Sequence, residues 1–125
     1  MEHELKQGQA LVIVGAQGSG KTTLARKIAE RYGSFIEVSA DRLESHQGLN
    51  DLLAHAKQTV IVEGFPENKE QQCWLKALIT TPTIKVEKKY GVAETVKVPN
   101  FIFCTSDADP LPKIEPGRRF RVIKL

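Results

Sequence analysis

Cysteine, methionine and aromatic side chains are scarce in this sequence: two Cys, one Met, one Trp, two Tyr and five Phe in 125 residues. Cys73 and Cys104 lack zinc-ligand spacing and do not form a disulfide framework, which removes small metal-held and disulfide-held scaffolds from consideration. Long apolar runs are also missing. None approaches the ~20 residues needed to cross a bilayer, and the opening MEHELKQGQ has no signal-peptide apolar stretch. There is no internal repeat, low-complexity tract or long linker. The expectation is a cytoplasmic protein with no membrane partner, built as one domain over residues 1–125 with a core of ordinary size.

Charge is nearly balanced overall, at +3, but unevenly spread. From Ile84 onward, nine Lys and Arg face five Asp and Glu, which leaves the first two-thirds slightly acidic. A basic back end fits a phosphate-rich partner and fits a plain solvated surface equally well.

Hydrophobic periodicity sorts the chain into alternating elements. Leu11 to Val14 is a short apolar run that suits a strand buried on both faces. Lys21 to Tyr32 reads as a helix, with Leu24, Ala25, Ile28 and Ala29 on one face and Gly33 placed to end it. Phe35 to Val38 and Val60 to Val62 read as further strands, with a helix over Leu49 to Lys57 between them. Glu67 to Ile79 is helical, and Pro82 stops the pattern. Ile84 to Glu87 and Thr95 to Val98 form the arms of a hairpin around Gly91. Asn100 to Cys104 is the fourth core strand, with Cys104 a buried thiol, and Phe120 to Leu125 makes a last strand after a loop rich in Asp and Pro. Strands alternating with helices argue for a parallel sheet covered on both faces, whose ligands bind beyond the carboxyl ends of the strands.

The first such end carries the sharpest motif. Gly15-Ala16-Gln17-Gly18-Ser19-Gly20-Lys21-Thr22 fits G-x-x-x-x-G-K-[ST], the P-loop, between a strand and a helix. Glycines let the backbone curl so that several N–H groups point at one anion, and the helix start adds its positive end. Lys21 can reach the β- and γ-phosphates, Thr22 can ligate Mg²⁺, and Thr23 follows in the first turn. The inference is a nucleoside triphosphate with Mg²⁺, bound over residues 15 to 23; the loop does not specify the base, and ATP is the expected cofactor. The expected architecture is then α/β: a P-loop NTPase three-layer sandwich, mostly parallel, with helices on both faces and a β-hairpin inserted before the fourth core strand.

A second group belongs on the metal side. VIVEGF, residues 60 to 65, is an apolar strand that ends in Glu63. A carboxylate there can hold Mg²⁺ through water or orient the attacking water. Gly64 follows where an acid pair would have its second member, so Glu63 carries both duties, or Glu67 or Asp41 helps, or turnover is slow. Asp41 also fits a helix cap.

With these residues in place, the tail NFIFCTSDADPLPKIEPGRRFRVIKL resembles the end of the ATPase core in superfamily-3 helicases of phages, plasmids and small viruses, within the AAA+ group. The resemblance runs from Leu11 to Leu125. It implies a DNA-replication ATPase that forms homo-oligomers when nucleotide is bound. Asp107 falls at the sensor position, where relatives carry asparagine, and Arg118 or Arg119 matches the arginine finger that reaches a neighbour's γ-phosphate. The hairpin matches the one aimed at single-stranded DNA, with Lys88, Lys89 and Tyr90 at its turn. Two ammonium groups suit backbone phosphates, and a tyrosine ring stacks on a base. Lysines that guard an exposed edge would look the same.

The first half also resembles adenylate kinase and its relatives, through GAQGSGKTTLARKIAERYG and VIVEGFPE. There Glu63 replaces an aspartate and Glu67 an arginine that binds substrate phosphate. Such kinases insert a monophosphate-binding subdomain between the second and third strands, where only residues 42 to 59 are available here. A third alternative is an assembly module that binds nucleotide with little turnover.

Overall fold

The computed structural model describes residues 5, 9–43, 45–54, 58–65, 69–87, 91–106 and 120–125. Five strands form one sheet in the order β2-β3-β6-β1-β7, and every neighbouring pair is parallel. The strands are β1 (Ala10–Val14), β2 (Phe35–Ser39), β3 (Thr59–Glu63), β6 (Asn100–Thr105) and β7 (Phe120–Lys124). The helices are α1 (Lys21–Glu30), α2 (His46–Ala54) and α3 (Lys69–Thr80). Between α3 and β6 the chain forms a separate antiparallel pair, β4 (Thr83–Glu87) with β5 (Ala93–Lys97). The α/β class and the parallel sheet are as the sequence implied.

Alternation along each strand feeds two cores. Leu11, Ile13, Ile61, Ile102 and Cys104 face α1, where they meet Ala25, Ile28 and Ala29. Val12, Val60, Val62, Phe101, Phe103 and Phe120 face the other way, onto Leu49, Leu52 and Leu53 of α2 and Leu75, Leu78 and Ile79 of α3. Strands buried on both faces need near-continuous apolar sequence, and β1, β3 and β6 have it. The ring of Phe65 closes the second core with edge contacts to Phe103 at 5.0 Å and Phe120 at 5.7 Å between centroids. Among the described residues, no helix is long and apolar enough to cross a membrane.

Boundaries depart from the sequence reading in two informative places. After β2 comes a turn of 3-10 helix, Ala40–Leu43, which hydrophobic spacing does not reveal because only Leu43 of its four residues is buried. Asp41 lies in its first turn. The following α2 starts at His46, three residues before Leu49, because Ser45 caps it: the Ser45 hydroxyl accepts from the Gly48 N–H at 2.9 Å. Between β2 and β3 the described chain holds nothing besides these two short helices, which leaves no subdomain for a monophosphate acceptor.

Two substitutions test this packing. Gly48 sits so close to the 3-10 helix that a Cβ would stand 2.7 Å from the Arg42 carbonyl oxygen. Gly48→Ala should therefore lower stability by about 1–2 kcal/mol in chemical denaturation, although helix propensity alone favours alanine by about 1 kcal/mol. Thr59 is fully buried, and its hydroxyl has no partner among the described residues. The near-isosteric Thr59→Val should raise stability by about 1 kcal/mol, because an unmatched buried hydroxyl carries a desolvation cost.

Candidate functional site

The parallel strands end together at one edge, and the P-loop sequence lies there. Residues 15 to 20 join β1 to α1, and residues 16 to 20 are exposed. A turn closes inside the loop, Ser19 N–H to Ala16 O at 3.0 Å. Gly20 is the residue before α1 and has φ 90°, a left-handed conformation that side-chain-bearing residues resist. No side chain caps α1. Its first N–H groups and its positive dipole end therefore face the loop, as an anion site requires.

Strand β6 lies between β1 and β3 and holds both loops at its end. Gly15 N–H donates to Thr105 O at 3.2 Å, and Gly64 N–H donates to Cys104 O at 2.7 Å. Across that gap α1 brings Thr22 to the end of β3, where its hydroxyl donates to Glu63 Oε1 at 2.8 Å. Two residues 41 positions apart in the chain thus meet. Lys21 turns back over the loop, its Nζ donating to Gly15 O at 2.8 Å and to Ala16 O at 3.2 Å. A hydroxyl, a carboxylate and an ammonium group gather around a row of backbone N–H donors. That donor set suits a polyphosphate with a hard divalent cation. Among the described residues, no group of three His, Cys, Asp or Glu is arranged to hold a metal alone. A cation at this edge would share its ligands with the anion.

One pair beside the site is absent from the sequence reading. Arg26, one turn below Thr22, makes a two-pronged ion pair with Glu37 of β2, Nη2 to Oε1 at 2.9 Å and Nε to Oε2 at 3.1 Å. The hydrogen bond and charge of Glu37 raise the Arg26 pKa, with a smaller contribution from Glu63. The i+4 spacing from Thr22 was the available signal. Nothing in the local sequence announced Glu37 as the partner.

Cys104 stands in register with both Glu63 and Ile13, and its thiol points at the Lys21 carbonyl, 3.9 Å away. Burial pushes the thiol pKa up to about 12, and the negative charges of Glu63 and Glu37 add to that against the opposing Lys21. Thr105 closes β6 and is buried. Asp107, Arg118, Arg119, Glu67, Lys88, Lys89 and Tyr90 lie outside the described residues.

Comparison with known proteins bears on the fold. The chain has a helicase-like fold. It superposes on the apo structure of the NrS-1 C-terminal region (305–718) with a TM-score of 0.68 and 27% identity, over 97% of this chain and 30% of that one. The A-form apo structure of the same region gives a TM-score of 0.66 and 25% identity, over 97% and 29%. A JCV helicase crystallised with a thiazolopyridine acetamide compound gives 0.58 and 20%, over 94% and 36%, a likeness of fold alone. The chain thus spans less than a third of the NrS-1 region it matches. No curated protein matches it. A family model covers residues 13–119, and the chain belongs to that family, DUF5906, a family of unknown function.

Thiol chemistry reads out the geometry directly. Cys73 is exposed and Cys104 buried. At pH 8 a thiol with a pKa near 12 is ionised in only about one molecule in 10⁴. A thiol reagent should titrate one group in the native protein and two in denaturant. The native Cys104 keeps its proton where the unfolded thiol, with an ordinary value of 9.0, has lost it. Its contribution should therefore reduce stability as pH rises from about 9 toward 12, a fall that Cys104→Ala removes.

Proposed function

We propose that this chain is the nucleotide-binding core of a superfamily-3-like helicase ATPase, a cytoplasmic protein that binds ATP–Mg²⁺ on residues 15 to 23 and works on single-stranded DNA in replication. The meeting of Thr22 with Glu63 at the uncapped start of α1 carries this proposal. Bound ATP–Mg²⁺ would supply the phosphoanhydride and the cation that draws charge toward it. The chain's own groups then have separate duties. The N–H groups of the loop hold the phosphates, Lys21 leaves the loop carbonyls to offset their charge, and Thr22 with Glu63 takes the metal side. Glu63 also orients the attacking water, because Gly64 offers no second carboxylate.

The remaining roles come from the sequence resemblance. Arg118 or Arg119 would complete the site of a neighbouring subunit in a homo-oligomer, and Asp107 would stand at the sensor position. Lys88, Lys89 and Tyr90 would meet DNA. The described arms of the hairpin put Lys85 and Lys97 on one exposed face against a single acid, Glu87, a small positive excess that is compatible with a polyanion there. A kinase reading finds no acceptor subdomain between β2 and β3 among the described residues.

One set of assays decides between these. ATP–Mg²⁺ at about 100 times Kd should stabilise the protein by about 2.7 kcal/mol, seen as a rise in Tm that Lys21→Ala abolishes. Glu63→Gln should still bind ATP but lose about 10²-fold or more in kcat. Single-stranded DNA should raise turnover, and Lys88→Ala with Lys89→Ala should remove that stimulation. Phosphate transfer to a nucleoside monophosphate would instead make the chain a kinase. An unchanged Tm with ATP–Mg²⁺ would sink the proposal.

A further inference from the structure

The β4–β5 sheet shares no ladder with the five-stranded sheet. It is held first by apolar contact: Val86 is buried in the core that lies under α2 and α3, and Ile84, Val96 and Val98 pack against that core. The opposite face carries Thr83, Lys85, Glu87, Ala93, Thr95 and Lys97, all exposed. Apolar contact has no direction, and a two-stranded ribbon is marginal on its own. Short connections tie one end of the ribbon, to α3 through Thr81 and Pro82 and to β6 through Val98 and Pro99, but they do not reach its other end at Glu87 and Ala93.

One side chain supplies the missing direction. Asn50 of α2 donates from Nδ2 to the Glu87 carbonyl oxygen at 2.9 Å, and its Oδ1 accepts from the Glu87 N–H at 3.0 Å. The amide holds both main-chain groups of the last residue of β4, as a neighbouring strand's peptide would. A two-point clasp fixes angle as well as distance. Its base is firm, because α2 is capped by Ser45 and pressed through Gly48 against the 3-10 helix.

We infer that Asn50 is the positioning residue of the second sheet, its amide setting the angle and register at which β4–β5 stands on α2. The part concerning DNA rests on the proposed function; the geometry does not. Two labels read the geometry: a spin label on the native, exposed Cys73 of α3 and another on Val92→Cys, where Val92 is 62% exposed beside β5. In the otherwise wild-type chain the label-to-label distance should be narrowly distributed. Asn50→Ala should broaden it and speed exchange of the Glu87 amide hydrogen about tenfold. Asn50→Asp is isosteric and keeps the acceptor for the Glu87 N–H but sets a carboxylate oxygen against the Glu87 carbonyl, so its label-to-label distance should broaden toward that of alanine. A packing role would leave the aspartate variant like wild type, and that result overturns the inference, as does an unchanged Asn50→Ala. With single-stranded oligonucleotide, Asn50→Ala should bind several-fold more weakly while ATP–Mg²⁺ affinity stays within about twofold. Wild-type protein that binds no oligonucleotide would count against the proposed function, while distance and exchange still decide the clasp.

Discussion

A single strand sets the span of the site. β6 lies between the strand that leads into the loop and the strand that ends in Glu63. Neighbouring strands stand about 4.8 Å apart, so the ends of β1 and β3 are separated by roughly twice that distance. Neither strand end alone could bring a hydroxyl to a carboxylate across it. The start of the helix does so: Thr22, the second residue of α1, reaches Glu63 from the first turn. The main chain of β6 ties down both loops from the middle, and Cys104 packs under the first turn of the helix. The spacing of the polar groups at the edge is therefore inherited from the most buried part of the molecule. A change in the packing of Ile102 or Cys104 would be felt at Thr22.

The electrostatics of this edge follow from what lies beneath it. α1 carries Lys21, Arg26 and Lys27 but no acid in its first turn. Two carboxylates approach it from the sheet, Glu37 and Glu63. Arg26 engages Glu37 with both prongs of its guanidinium, while Glu63 is met by a neutral hydroxyl. Among the described residues beside α1, the negative charge left for a cation thus falls on Glu63, and the positive charge for an anion on the loop and Lys21. Separation of the two signs across a few ångströms is what a metal-bound polyphosphate matches.

Much of this could be read from the sequence because the strongest constraints are local. A strand buried on both faces has to be apolar throughout, so β1, β3 and β6 declared themselves. A backbone that turns sharply through positive φ needs glycine at fixed places, so the loop did too. The acid after Val62 stood out because it ends such a strand. The features that escaped depend on partners distant in the chain. Glu37 pairs with Arg26 across the sheet, and Asn50 clasps a residue 37 positions away through groups every peptide carries. The 3-10 helix after β2 escaped for a different reason: it buries one side chain and so leaves no period to detect.

The order of pairing also has a consequence for biosynthesis. β1 is made well before either of its neighbours, with Leu11 opposite Ile102 and Ala10 opposite Phe120. Until some ninety residues more have been translated, β1 has both hydrogen-bonding edges open and an apolar face on either side. Such non-local closure is slow, and the waiting strand is prone to aggregate. A nascent chain halted before Asn100 would possess every residue of the glycine-rich loop but not the strand whose main chain ties it down. It is the kind of intermediate that a chaperone would be expected to hold until translation supplies β6.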